Sequence, residues 1–134
     1  MNLIEQQQLF TFDVSLLIQY AHGLGVKLTS GEAYRTRSQV LLNYFGYKVV
    51  NNKGKLSLVK RKRTSWTLKS KHPERMAIDF NFFINGKLTY DDPLIVNIGE
   101  YWESLSTQNE WGGNWIDQKT GKRKDTPHFQ RNWF

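Results

Sequence analysis

Phe10, Val14, Leu17, Ala21 and Leu24 recur at intervals of four and three, the spacing that stacks side chains on one face of an α-helix. The pattern predicts a first helix that closes at Gly23 and Gly25. A strand over 26–36 and a shorter helix around 39–44 are predicted to follow. From residue 76 the period changes to two. Met76, Ile78, Phe80 and Phe82 fall on one face of a strand, and Ala77, Asp79 and Asn81 on the other. The first face reads as core; the second is small and polar with a carboxylate at its centre. Asn85-Gly86 suits a type I′ turn, so residues 76–90 read as a hairpin. Ile95, Ile98, Trp102 and Leu105 restore the helical period, and a last strand is predicted over 128–133. Between them lie Trp111-Gly112-Gly113-Asn114-Trp115 and a basic turn at 119–124. Helices and strands do not alternate regularly, which predicts an α+β fold with an antiparallel sheet. No repeat or linker divides the chain, so a single domain over 1–134 is expected.

Composition narrows the chemistry. A chain of 134 residues with 39% hydrophobic and 14% aromatic residues can bury a core, which excludes disorder. There is no cysteine, which excludes disulfides, thiolate nucleophiles and cysteine-held zinc. Any metal must be held by histidine and carboxylate, and the histidines are His22, His72 and His128. No run approaches the ~18 apolar residues that span a bilayer. The first residues lack the basic start and apolar stretch of a secretory signal, so the expected location is the cytoplasm until something releases the protein. Nineteen Lys and Arg against twelve Asp and Glu give +7, which favours a polyanionic partner: nucleic acid, a membrane surface or an anionic cell wall. Residues 51–71 read as a polar, basic surface loop or hairpin, either simply solvated or touching substrate.

Two short segments carry the candidate chemistry, one from Ser70 to Asp79 and one from Asp125 to His128. Catalytic zinc commonly takes three His or carboxylate ligands and leaves a fourth position open. Asp79 sits mid-strand between small same-face neighbours. His72 precedes that strand, where a turn at Pro73 would bring it back, and His128 comes from a separate strand. Asp125 is the candidate base: Pro127 blocks a helix, and a turn there would swing Asp125 to the side of His128. His22 reads as a plain helix-end residue. On its own Arg35 reads as an ordinary strand-end arginine, although its charge would suit an oxyanion or a substrate carboxylate.

Ser70, His72, Ala77 and Asp79 in the pattern Ser-x-His-x-x-x-x-Ala-x-Asp, with Asp125 and His128 as Asp-x-x-His, resemble the D-Ala-D-Ala metallopeptidases, most closely their phage endolysin branch of L-alanyl-D-glutamate peptidases. Residues 32–36, 77–83, 99–105 and 111–115 add to the likeness, which runs over 9–133 with the motifs in order. The resemblance implies a small α+β domain of the Hedgehog and DD-peptidase kind, binding one Zn2+ through His72, Asp79 and His128. It implies Asp125 as catalytic carboxylate, Arg35 as the arginine for substrate or oxyanion, and Ser70 and Tyr34 as substrate contacts. It further implies a monomer that cuts the L-Ala–D-Glu bond of the peptidoglycan stem peptide in host-cell lysis, with no separate wall-binding module. One departure stands out: many members have glycine three residues after the first histidine, where this chain has Arg75. The alternatives are D-Ala-D-Ala dipeptide or carboxypeptide cleavage in the same family, and a nucleic-acid-binding protein using residues 60–63 with Trp66, Tyr44 and Tyr47.

Overall fold

Asn2 opens the first helix, α1 (Leu3–Gly23), with a capping box in which its side chain accepts from the Glu5 N–H and the Glu5 carboxylate accepts from the Asn2 N–H. The computed structural model that shows this describes residues 1–65, 67 and 69–133. Trp66, the stacking ring of the nucleic-acid reading, therefore lies outside the described residues. After α1 come β1 (Lys27–Ser30), α2 (Arg37–Phe45), β2 (Tyr47–Asn52), β3 (Lys55–Lys60), β4 (Ala77–Ile84), β5 (Lys87–Thr89), α3 (Pro93–Leu105), β6 (Asn109–Trp111) and β7 (His128–Arg131). The fold is a small α+β domain of three helices on an antiparallel sheet.

Strand β4 organises the main sheet, whose order is β1-β4-β7-β6, with β5 also pairing β4. Its two halves have different partners along one edge: Phe82 to Ile84 pair β5, and Ala77 to Asp79 pair β7. The predicted alternation holds from Asp79 to Phe82, whereas at the start of the strand Ala77 is buried and Ile78 only half-buried. Met76, Phe80 and Phe82 are buried with Phe10, Leu17 and Ala21 of α1 and Ile95, Ile98 and Trp102 of α3. Asp79 faces the other way. The Asn85-Gly86 turn carries φ of 52° and 77°, the left-handed pair that a type I′ turn needs.

Three expectations change in detail. The strand predicted over 26–36 is regular only to Ser30, but Gly31 and Glu32 keep hydrogen bonds to the Asp79 backbone before the chain turns away. Of residues 51–71, residues 51–60 belong to a hairpin that begins at Tyr47, and the other described residues are loop; among the described residues β2 and β3 pair only with each other. The short strand β6 carried no periodic signal because it is only three residues long.

Buried Trp111 links the core to the end of the sheet. Its Nε1–H donates to the Thr126 carbonyl at 2.8 Å, and its indole lies against Gly99 of α3, where a Cβ would overlap the ring. Helix propensity alone would make Gly99→Ala stabilising by about 1 kcal/mol. Overpacking a rigid core ring costs ~1–3 kcal/mol and wins. G99A is expected to lower the urea midpoint with an unchanged slope; a raised midpoint would show that the indole has room to move.

Candidate metal centre

The ladder that centres β4 also builds the site. Asp79 and His128 are directly opposed residues of β4 and β7, and opposed side chains in an antiparallel pair share a face at close range. The backbone of Asp79 is pinned on its other edge, its N–H donating to Glu32 O at 2.8 Å and its carbonyl accepting from Gly31 at 2.7 Å. His72 arrives from the turn before β4. Ser70 Oγ accepts from the His72 N–H at 3.2 Å, and backbone bonds from Glu74 and Met76 to Lys71 and from Arg75 to His72 close the turn.

Arg75 explains the departure from the family pattern. Its φ is 56°, the left-handed region that favours glycine. The side chain compensates by laying its guanidinium over the Tyr34 ring at 4.2 Å.

The ring nitrogens settle what the site can hold. A carbonyl oxygen only accepts, so His72 Nδ1 donates to Ala33 O at 2.9 Å and its Nε2 lone pair is left facing Asp79 Oδ1 at 3.5 Å. The Gln130 amide nitrogen is committed to Asn132, so its Oε1 accepts from His128 Nε2 at 2.7 Å. That leaves the His128 Nδ1 lone pair on Asp79 Oδ1 at 3.0 Å. Two lone pairs and a carboxylate oxygen thus converge, with ligand atoms within 4.8 Å of one another and no proton among them when both rings are neutral. Such a cluster could hold a cation. The donor set of two imidazoles and one carboxylate, each ring held by a hydrogen bond through its other nitrogen, fits zinc.

Protonation follows the same logic. Burial works against the Asp79 carboxylate, but His128 and then His72, which donate to it once they carry an added proton, outweigh that and hold the carboxyl well below its ordinary 3.8. Burial also opposes charge on His128, but the bonds to Asp79 and Gln130 raise it above 6.5. The trio takes up a proton when no metal competes.

A groove of about 670 Å³ opens onto the trio and is lined also by Arg35, Ser70, Trp115, Lys124, Asp125 and Gln130. The expected turn is present: His128 N–H donates to Asp125 O, Pro127 O accepts from Phe80 N–H, and Asp125 lines the groove beside His128. Gly112 permits this, since a Cβ there would overlap the Asp125 carbonyl. Burial pushes the Asp125 carboxyl up, and the negative charge of Asp79 adds to the effect against the opposing pull of the histidines and Arg35. Arg35 reaches the groove but is gripped bidentately by Glu32, at 2.7 and 2.6 Å, which raises the arginine and lowers the carboxyl. Tyr34 is not brought to the groove; it lines a separate pocket with Arg75, Ala33 and Ile78. His22 is exposed at the end of α1, away from the trio.

Gln130 and Trp115 were missed from sequence. Gln130 lies two residues after His128 on the same strand, hence on the same face, and that spacing was a usable signal. Trp115, whose ring lies 5.2 Å from that of His128, stood in the Trp-Gly-Gly-Asn-Trp motif but had no periodic signal to place it in the site, because it follows a 3-10 turn.

Two outcomes test the centre. Gln130→Met is expected to weaken zinc about 10–100-fold in a competition titration, by freeing the His128 ring; unchanged affinity would detach Gln130 from the site. In metal-free protein, Asp79 contributes stability above about pH 4 and His128 below about pH 6.5, the latter lost as pH rises through its raised value. Zinc competes with that proton, so the zinc-induced rise in Tm should grow over the interval in which metal-free Tm falls. A zinc shift independent of pH would place the metal elsewhere.

The sequence pattern of a family described as D-alanyl-D-alanine carboxypeptidase matches residues 63–131, which contain the trio and Asp125. No curated protein is similar enough in sequence to be matched. Among solved structures the chain is similar in fold to the L-Ala D-Glu endopeptidase ChiX of Serratia marcescens, with 19% identity, TM-score 0.59, and coverage of 92% of this chain and 77% of that one. The likeness in fold and the match over half of the chain agree with the geometry of the groove, and the chain belongs to the D-alanyl-D-alanine carboxypeptidase family of peptidases.

Proposed function

We propose that the chain is a zinc-dependent endopeptidase that cuts the L-alanyl-D-glutamate bond of the peptidoglycan stem peptide, in the manner of a phage endolysin released onto the host wall. The observation that carries the metallopeptidase reading is the convergence of His72 Nε2, His128 Nδ1 and Asp79 Oδ1 at a groove that also holds Asp125.

His72, Asp79 and His128 would hold the zinc ion, which would supply a Lewis acid for the scissile carbonyl and lower the pKa of water toward neutrality. Asp125 takes the proton from the attacking water and delivers it to the leaving amine. Burial serves that role, since a carboxylate with a raised pKa is the stronger base. Gln130 and the Ala33 carbonyl hold the two rings in single tautomers, so no reorganisation is needed as the metal is bound. Trp115 walls the groove on one side of His128. Arg35 places positive charge near the carboxylates of the site and, through it, near charge developing on the substrate. Ser70 acts through the backbone of His72.

Cleavage of a terminal D-Ala is the second reading, and the family description favours it. A carboxypeptidase needs a cation free to hold the terminal carboxylate. Here Nε and Nη2 of Arg35 are both taken by Glu32, so that role would fall to a groove lysine such as Lys124. The likeness in fold to an L-Ala D-Glu endopeptidase supports the internal bond instead.

Mass spectrometry of digested sacculi separates the two: fragments beginning with D-Glu are expected, and release of free D-Ala alone would overturn the assignment. Chelator should abolish either product. Asp125→Asn should retain zinc and lower kcat roughly 10²–10⁴-fold; wild-type turnover in this variant would remove Asp125 from the reaction.

A further inference from the structure

Residues 33–73 contain eleven of the nineteen Lys and Arg and none of the twelve Asp and Glu. The rest of the chain, with eight bases against twelve acids, is net negative. The whole positive surplus is therefore concentrated in the excursion that carries α2 and the β2–β3 hairpin.

That hairpin also exposes a cluster of apolar side chains. Opposed pairs Tyr47–Lys60, Val49–Leu58 and Asn51–Leu56 put Tyr47, Val49, Leu56 and Leu58 on one face. Among the described residues no other strand joins the pair, and Val49, Leu56 and Leu58 are 53%, 67% and 63% exposed. A two-stranded hairpin with an uncovered aliphatic face is marginal in water, and exposed apolar surface rimmed by charge marks an interaction site. The basic rim comes from Lys53 and Lys55 at the tip and from Lys60 at the root, where it shares a pocket with exposed Phe45.

The combination selects the partner. A second copy of the hairpin would set cation against cation. Nucleic acid calls for stacking rings, but this face sets the single ring of Tyr47 beside three aliphatic side chains, and the Tyr44 ring is already covered by Arg63 at 4.0 Å. Aliphatic side chains that insert, ringed by lysines that meet acidic headgroups, match an anionic lipid surface. We propose that the β2–β3 hairpin docks the protein on anionic bilayers, with Val49, Leu56 and Leu58 entering the interface and Lys53, Lys55 and Lys60 binding headgroups. No described helix is long and apolar enough to cross a membrane, so the attachment is peripheral. The same excursion returns to the groove at Ser70 and His72, so a docked hairpin would hold the peptidase site beside the membrane.

Sedimentation with vesicles tests this on the full chain. Binding is expected to phosphatidylcholine vesicles containing phosphatidylglycerol, and not to phosphatidylcholine alone. The L56S/L58S variant should bind roughly tenfold or more weakly, and K53Q/K55Q about fivefold more weakly for each lysine removed. Both should keep the wild-type melting profile and wild-type hydrolysis of soluble muropeptides, which separates failure of docking from failure of the peptidase reading. The proposal is overturned if anionic lipid adds nothing to binding. It is equally overturned if L56S/L58S binds as wild type, a result that would assign the charge to a soluble polyanion such as DNA.

Discussion

Asp79 and Phe80 are neighbours on β4 that face opposite ways, and the architecture turns on holding both in place. Phe80 is drawn into the aromatic core between α1 and α3, where Trp102 and Phe129 meet edge to face at 5.9 Å. A slip of one residue in the pairing of β4 with β7 would exchange the two faces, burying a carboxylate among aromatic rings. The core therefore does more than stabilise the domain. It sets the register that opposes Asp79 to His128, so the candidate metal ligands are placed by the same contacts that drive folding.

Most of this was legible in the chain. The period of two from Met76 to Phe82 marked the central strand, its core face and the outward carboxylate, and the periods of three and four placed α1 and α3. Asp125 and His128 were readable as one unit through Pro127. Residues that act through long-range contacts were not. Nothing local shows that the Ala33 carbonyl accepts from His72, because the contact joins positions far apart in the chain. Tyr34 illustrates the converse: the motif points to it as a site residue, yet its ring is engaged by Arg75 outside the groove. The hairpin was read only in part because its alternating aliphatic residues lie among lysines, and a strand with two exposed faces lacks the burial contrast that reveals a period.

The electrostatics of the trio and of the surface answer to different rules. Around Asp79, short buried hydrogen bonds decide protonation, and salt in solution reaches them poorly. On the hairpin, charges stand in water and act over about 10 Å at 0.1 M salt before screening removes them. Recognition at a surface and chemistry in the groove can thus be tuned independently by ionic strength and by pH.

The bond between His72 and Ala33 has a thermodynamic consequence. These residues stand at the two ends of the excursion, so this contact closes a long loop, and the Arg75–Tyr34 stacking closes it a second time. Closing a loop costs chain entropy that rises slowly with its length. A metal that demands the His72 tautomer fixed by Ala33 also favours the closed loop, and by reciprocity whatever orders the excursion tightens the metal site. Retention of a metal at this site would in that sense be a property of the whole loop, shared by residues that never approach the ion.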